Sequence, residues 1–235
     1  PKTIDDLLKQ DLIYLVGCSV GDGHIGKSGK AWVLVDGTSH KNKLHFSEKF
    51  ITSLSGLVNY YTNVSSVSSK ENKSILSVNN KLFCRFLNFF FGLPFGKKKN
   101  VVLSVPKILK KSKIDLEKYF WRGCFDTDGS VISNGAVNFC SIDHNLLYEC
   151  EKYLNKKKIF CKSRKNVLVI SMNNLLKFSS IGFSHPRKQK EFLLLLNKGP
   201  KFKSVKIRKG MENQIDPKLF AVYPLIRIDS GYRVR

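Results

Sequence analysis

Apolar positions along the chain alternate between helical spacing and short extended runs. A helical pattern runs from Leu7 to Val20 and is followed by two short extended segments. A second helix is predicted from Ser47, then two strands around a turn at Glu71-Asn72, then a helix from Asn79 to Phe90. The order helix, strand, strand, helix, strand, strand, helix indicates a mixed α+β unit.

The second half of the chain repeats this order. A helical pattern begins near Ile114, and Asn134-Gly135 between two extended runs is typical of a β-hairpin. Asp143 can cap the next helix, and the last helix of the unit is predicted over 174–181. Each half ends in a similar segment, Gly92-Leu93-Pro94-Phe95-Gly96-Lys97-Lys98-Lys99 in the first and Gly182-Phe183-Ser184-His185-Pro186-Arg187-Lys188-Gln189 in the second. The pattern therefore predicts an internal duplication of an αββαββα unit.

The duplication divides the chain into four parts. We place the first repeat at 1–96, a basic linker at 97–115, the second repeat at 116–199 and a basic C-terminal extension at 200–235. The linker is expected to be extended before the second repeat begins. The extension is either an added strand and helix on the second repeat or an additional nucleic-acid arm.

Both repeats end their first helix in Asp-Gly. The two stretches are Leu15-Val16-Gly17-Cys18-Ser19-Val20-Gly21-Asp22-Gly23 and Trp121-Arg122-Gly123-Cys124-Phe125-Asp126-Thr127-Asp128-Gly129. An acid at a helix C-terminus opposes the helix dipole by roughly 0.3–1 kcal/mol. For either copy alone, an exposed acid followed by a C-cap glycine is the simpler interpretation. The repetition instead favours a close meeting of the two helices, with a divalent metal between Asp22 and Asp128, because hard oxygen ligands suit Mg²⁺.

Small residues at a spacing of four support that meeting. Gly17 and Gly21 share one face of the first helix, and Gly123 and Thr127 share one face of the second. Small side chains at this spacing allow two helix backbones to approach closely.

The charge of the chain indicates a polyanionic partner. Its 235 residues include 41 Lys and Arg against 18 Asp and Glu, which gives a net charge of +23. No run of eighteen apolar residues is present, so a membrane partner is disfavoured. The six cysteines form no C-x-x-C pair and are predicted to be reduced core residues, without a zinc site. The N-terminal stretch resembles neither a signal nor a transit peptide, so we expect an intracellular location, in an organelle or a prokaryotic cytoplasm.

These motifs and their order resemble the LAGLIDADG homing endonucleases in their single-chain, two-motif form, over about residues 7–196. The resemblance implies two pseudo-symmetric αββαββα repeats with saddle-shaped antiparallel sheets that lie along the DNA major groove. The first motif departs from the family pattern at Cys18-Ser19-Val20-Gly21 but retains its acid. The resemblance also implies a monomer that makes a double-strand break in a long asymmetric DNA target by Mg²⁺-dependent phosphodiester hydrolysis.

The same resemblance assigns the reacting groups. Asp22 and Asp128 would share two or three Mg²⁺ ions, aided by the backbone carbonyl of Gly21 or Thr127. A basic residue near each scissile phosphate would be Lys98 (or Lys97) in the first repeat and Lys188 in the second. The predicted DNA-binding residues are Lys30, Trp32, Lys70, Lys73, Asn138, Lys162, Arg164 and Lys165.

Other functions remain open at this point. The principal alternative is an intron-encoded RNA maturase of the same fold, with intron RNA as partner. A DNA-binding regulator without chemistry is disfavoured because both motif acids are present. An intein is disfavoured because the sequence from Pro1 to Arg235 shows neither a terminal nucleophile nor a terminal His-Asn.

Overall fold

The computed structural model describes residues 9–38, 43–62, 65–98, 101–133 and 135–198. The helices and strands of the first repeat are α1 (Gln10–Gly21), β1 (Gly23–Ile25), β2 (Trp32–Gly37), α2 (Leu44–Thr62), β3 (Ser66–Lys70), β4 (Lys73–Val78) and α3 (Lys81–Phe91). A short helix, α4 (Lys107–Lys110), precedes the second repeat. That repeat contains α5 (Glu117–Asp128), β5 (Gly129–Ile132), β6 (Ala136–Cys140), α6 (His144–Lys156), β7 (Cys161–Arg164), β8 (Val167–Ile170), α7 (Leu175–Phe178) and α8 (Pro186–Lys198). The predicted α+β class and the repeated order are confirmed.

Local sequence signals explain several helix boundaries. The Asn80 side chain caps α3 by accepting from the Phe83 N–H at 3.0 Å, and α3 ends at Gly92, which has a left-handed φ of 71°. Asp143 caps α6, as the sequence predicts, by accepting from the Asn145 N–H at 2.9 Å.

Each repeat contributes one antiparallel sheet of four strands. The strand orders are β1-β2-β4-β3 and β5-β6-β8-β7, so the two sheets have the same topology. Burial alternates along β2 and β4, which assigns Leu34 and Leu76 to the core face and Val33 and Ile75 to the opposite face. We call the face of each sheet turned away from the core its open face.

One hydrophobic core runs through both repeats. It includes apolar residues of α1, α5 and the core faces of both sheets. The two motif helices α1 and α5 lie against each other at its centre. The largest contact between the two repeats is therefore made by the segments that carry the motif acids.

Some expectations from the sequence need correction. The linker is not wholly extended, because Lys107–Lys110 forms a helical turn, and helix α8 was not predicted. Cys140 is exposed and Cys161 partly exposed, so these two thiols do not belong to the buried set. The C-terminal extension at 200–235 lies outside the described residues, and the four-part division of the chain stays a prediction. Among the described helices, none is long and apolar enough to cross a membrane.

Candidate active site between the two motif helices

Glycines set the distance between α1 and α5. A Cβ added at Gly17 would lie 2.0 Å from the Phe120 carbonyl oxygen, and one added at Gly123 would lie 2.3 Å from the Tyr14 carbonyl oxygen. A Cβ at Gly21 would lie 1.9 Å from Thr127 Oγ1. Real Cβ atoms do not tolerate such distances, so the backbone approach depends on the absent side chains. The close packing predicted from the spacing of small residues is present.

This approach brings the two motif acids to one place. Asp22 is the C-cap of α1, and Asp128 is the last residue of α5. Asp128 Oδ2 lies 3.2 Å from the position that a Cβ of Gly21 would occupy. Gly21 directly precedes Asp22 in the chain. Asp22 is exposed and Asp128 is half-buried, so both carboxylates reach the surface of the junction.

The electrostatics of the pair oppose two free carboxylates. Desolvation raises the pKa of Asp128 to about 7, and the negative charge of Asp22 adds to this rise. Desolvation also raises the pKa of Asp22, although this residue retains solvent exposure and nearby lysines act in the opposite direction. The junction therefore favours a cation beside the two acids.

Two lysines cap the two motif helices in the same manner. Lys98 Nζ donates to the carbonyl oxygens of Ser19 at 3.1 Å and Val20 at 2.7 Å, and also to that of Gly21. Lys188 Nζ donates to the carbonyl oxygens of Phe125 at 3.3 Å, Asp126 at 2.6 Å and Thr127 at 2.9 Å. A cation at a helix C-terminus is favoured by the dipole and satisfies carbonyls that lack helical partners. Lys97, the other candidate in the first repeat, is exposed.

Each lysine also influences the acid of the other repeat. Lys188 caps the helix of Asp128, yet it is the strongest influence lowering the pKa of Asp22. Lys98 caps the helix of Asp22, yet it is the strongest influence lowering the pKa of Asp128. Burial lowers the pKa of both lysines, and the surrounding carboxylates oppose this effect. By these influences the site divides into two halves, each with an acid from one repeat and the lysine of the other repeat that lowers its pKa most.

The donor set fits Mg²⁺ bound together with a phosphate. Asp22, Asp128 and the carbonyl oxygens of Gly21 and Thr127 offer hard oxygen donors. Within the described residues, no group of three or more His, Cys, Asp or Glu side chains forms a metal cage. Mg²⁺ ordinarily keeps several waters and is held by one or two carboxylates plus substrate phosphates. Two converging acids are therefore sufficient for it, while the role of the two carbonyls, which accept from lysines here, stays a prediction.

A second, buried polar layer lies beneath the acids. Asp126 is fully buried and accepts from the Tyr14 hydroxyl at 2.5 Å and from the Ser184 N–H at 2.9 Å. Burial raises the pKa of Asp126, and the hydrogen bond from Tyr14 opposes that rise. The sequence pattern did not indicate this layer, although Asp126 belongs to the motif and precedes Asp128 by only two residues.

Asp36 and His185 form a buried pair across the two repeats. Asp36 Oδ2 lies 3.1 Å from His185 Nε2, and the residues are 7% and 1% exposed. Burial raises the pKa of Asp36, but the hydrogen bonds from His185 and Ser47 oppose this rise, and the net pKa lies below its ordinary value. The signal in the sequence was an acid, Asp36, in phase with the core positions Trp32 and Leu34 of strand β2.

Most predicted DNA-binding residues lie on or beside the open faces. On the second sheet Asn138 and Lys162 are both in register with Val169, and Arg164 lies opposite Val167. On the first sheet Lys70 and Lys73 face each other at the end of the hairpin. Lys30 is exposed just before β2, and Lys165 is exposed in the β7–β8 turn. Their contact with DNA stays a prediction.

Trp32 is an exception and a correction. Its side chain is 1% exposed, and its indole Nε1 donates to Ser19 Oγ at 3.0 Å. The ring also packs edge-on against Phe83, with 6.1 Å between centroids. Because β2 is apolar at consecutive positions, the sequence did not reveal which face Trp32 occupies. It belongs to the core and offers no surface to DNA.

Comparisons with known proteins agree with this architecture. Residues 115–182 match the family described as LAGLIDADG-like domain. The structure of I-DmoI in complex with DNA and Mn is similar, with a TM-score of 0.51 and 15% identity over 72% of this chain and 93% of that chain. A variant of I-DmoI in complex with its target DNA and Mn gives a TM-score of 0.50 and 16% identity over 72% and 91%. At these identities the structural matches show the fold alone.

A curated relative matches at the sequence level. The replication factor C small subunit of Methanocaldococcus jannaschii is 26% identical in an alignment of 207 positions that covers 76% of this chain. The matched region is only 11% of that protein, so the chain spans a small part of its relative.

The match to the LAGLIDADG-like domain covers most of the second repeat, and the first repeat has the same strand order. The chain is therefore similar to this family in sequence over 115–182 and to I-DmoI in fold over 72% of its length.

Proposed function

We propose that the protein is a site-specific DNA endonuclease that makes a double-strand break by Mg²⁺-dependent phosphodiester hydrolysis. The observation that carries this proposal is the convergence of Asp22 and Asp128 where α1 and α5 pack closest. The pKa of each acid is lowered most by the lysine of the other repeat, which suits a site that acts on two strands. The similarity to I-DmoI, which is solved in complex with DNA and Mn, supports the same class of substrate.

The acids and the lysines of the site would have different roles in hydrolysis. Asp22 and Asp128 would hold the divalent ions, which supply an activated water and stabilise charge on the phosphate and the leaving oxygen. Lys98 and Lys188 lie next to these acids and would place a positive charge near each scissile phosphate. Because both lysines are held by backbone carbonyls, their ammonium groups are positioned before DNA binds.

The two open faces would bind the DNA. A major groove admits a two-stranded ribbon, and lysines on such a ribbon contact phosphates more often than bases. The basic residues Lys70 and Lys73 lie on one sheet, and Lys162 and Arg164 lie on the other. The two open faces differ in sequence, with Val33 and Val35 on the first sheet and Asn138 on the second. A monomer would therefore read an asymmetric target of roughly twenty base pairs.

The test is incubation of the full chain with a randomised duplex library and Mg²⁺, followed by sequencing of the cut ends. One asymmetric site, cut once on each strand near its centre, is the expected result. Asp22→Asn and Asp128→Asn should abolish double-strand cleavage and retain DNA binding in Ca²⁺, because an amide is a poor ligand for a hard cation. Double-strand cleavage by Asp128→Asn at the wild-type rate would contradict the two-acid site.

Two other results would replace the proposal. Absence of DNA cleavage together with tight binding of structured intron RNA would indicate an RNA maturase of this fold. Palindromic target sites would indicate a homodimer rather than a monomer.

A further inference from the structure

We propose that the buried pair of Asp36 and His185 positions Lys188 for cleavage of one particular DNA strand. This inference rests on the proposed endonuclease function. Both residues are buried, so they act as positioning residues rather than catalytic ones. The inference follows from how the segment 184–188 is held in the structure.

His185 is fixed at both ring nitrogens. It is the residue before α8, and its Nδ1 accepts from the Arg187 N–H at 3.2 Å, as an N-cap side chain does. Since Nδ1 is an acceptor, Nε2 carries the ring proton and donates to Asp36 Oδ2 at 3.1 Å. The ring also stacks on Phe50 of α2, with 4.5 Å between centroids. The start of α8 is therefore attached to strand β2 and helix α2 of the other repeat.

Lys188 lies one helical turn beyond His185. Residues three apart lie on the same side of a helix, so the orientation of His185 sets the direction in which Lys188 leaves α8. Lys188 is only 4% exposed, and its Nζ reaches the carbonyl oxygens of α5 beside Asp126. The Ser184 N–H also donates to Asp126, so the segment is held on each side of His185.

Within the described residues, the equivalent segment of the first repeat has no such attachment. Phe95 stands where the second repeat has His185, and it is 41% exposed. It forms a β-bridge with Ile25 of its own repeat, and the Gly96 N–H donates to the Ile25 carbonyl oxygen at 2.6 Å. Lys98 is correspondingly more exposed than Lys188. The pair therefore supports one half of the site and not the other.

This asymmetry gives the inference a measurable consequence. If the pair of Asp36 and His185 positions Lys188, then loss of the pair should slow cleavage of the strand that depends on Lys188. Cleavage of the strand that depends on Lys98 should be unchanged. Loss of general stability would slow both strands equally. Rate constants for nicking of each strand separate the two cases.

The experiment uses the full chain and a duplex labelled differently on its two strands. Lys188→Met and Lys98→Met first define which strand depends on which lysine. Asp36→Ala should then slow the Lys188-dependent strand by about 10- to 100-fold, the loss expected from a small misplacement of a reacting group, so that nicked duplex accumulates. Asp36→Asn retains an oxygen that can accept from His185 Nε2, and it should restore most of the rate.

Two further variants distinguish a loss of positioning from misfolding. His185→Asn keeps an N-cap acceptor for α8 but has a shorter side chain than His185, so it should reproduce the strand bias while α8 stays capped. Tyr153→Phe removes a buried hydroxyl that donates to Asp115 at 3.1 Å in the same repeat, and it should show no strand bias. Thermal unfolding and DNA binding in Ca²⁺ report the fold of each variant.

The outcomes distinguish the inference from the function on which it rests. If the wild type cuts no duplex, both the endonuclease function and the positioning role are wrong. If the wild type cuts but Asp36→Ala and His185→Asn slow both strands equally, the endonuclease stands and the positioning role is overturned.

Discussion

The hydroxyl of Tyr14 on α1 donates a 2.5 Å hydrogen bond to Oδ2 of Asp126 on α5, at the buried contact of the two repeats. Asp126 has no exposed surface, so its carboxylate depends on protein donors. This bond therefore links the stability of the repeat interface to a residue of the second motif.

Removal of that donor should destabilise the protein. For Tyr14→Phe we expect a loss of about 1.5–3 kcal/mol in the free energy of unfolding, the range for hydrogen bonds to charged groups. The midpoint of urea unfolding measures it. Tyr148→Phe is the matched control, since the Tyr148 side chain is exposed and its loss should change stability by about 0.5 kcal/mol at most. Equal midpoints for the two variants would contradict the role of Tyr14.

The glycine contact between α1 and α5 gives a second prediction. A Cβ at Gly17 would lie 2.0 Å from a backbone oxygen, so Gly17→Ala should cost at least about 3 kcal/mol through overpacking. Gly56 of α2 has no atom within 4 Å of its added Cβ, and Gly56→Ala should instead stabilise by about 0.5–1 kcal/mol. Both substitutions improve helix propensity equally, so their difference isolates the helix contact. Thermal unfolding of the two variants checks it, and similar unfolding temperatures would show that the helices can separate without cost.

The sequence was sufficient for the repeated fold because its signals are local. Helix caps such as Asp143, the Asn134-Gly135 hairpin and the two Asp-Gly motifs each determine a structure within a few residues. The pairing of Asp22 with Asp128 was also predictable, because the two copies are related by duplication. The pair of Asp36 and His185 has no counterpart in the other repeat and joins residues 149 apart, so neither local pattern nor repetition indicated it.

The pKa of Asp128 gives a third prediction, on pH and metal. Burial raises this pKa from 3.8 to about 7, so between these values the folded protein binds a proton that the unfolded chain has released. The stabilising contribution is complete below about pH 4 and is lost as the pH rises to about 7, at about 1.4 kcal/mol per pKa unit and no more than about 4 kcal/mol in all. A divalent ion favours the charged carboxylates and should restore stability at the higher pH.

Thermal unfolding at about pH 5 and about pH 8, in EDTA and in Ca²⁺, measures this linkage. The metal-free protein should be less stable at the higher pH, and Ca²⁺ should reduce the difference. In Asp128→Asn the amide does not titrate, so the loss of stability with rising pH should be smaller than in the wild type. The gain of stability from Ca²⁺ should be smaller as well. An unchanged pH response in Asp128→Asn would show that Asp128 is not the titrating group.

The last prediction concerns the surface that binds DNA, and it rests on which side of each sheet a charge occupies. Lys162 and Arg164 point to the open face of the second sheet, whereas α6 packs on the core face and carries Lys152 and Lys156 on its exposed side. Each phosphate contact contributes about 0.9 to the slope of log affinity against log salt. Lys162→Ala with Arg164→Ala should therefore reduce that slope by about two. Lys152→Ala with Lys156→Ala removes the same charge and should leave the slope unchanged, so equal slopes for the two double variants would show that net charge, rather than the open face, binds the DNA.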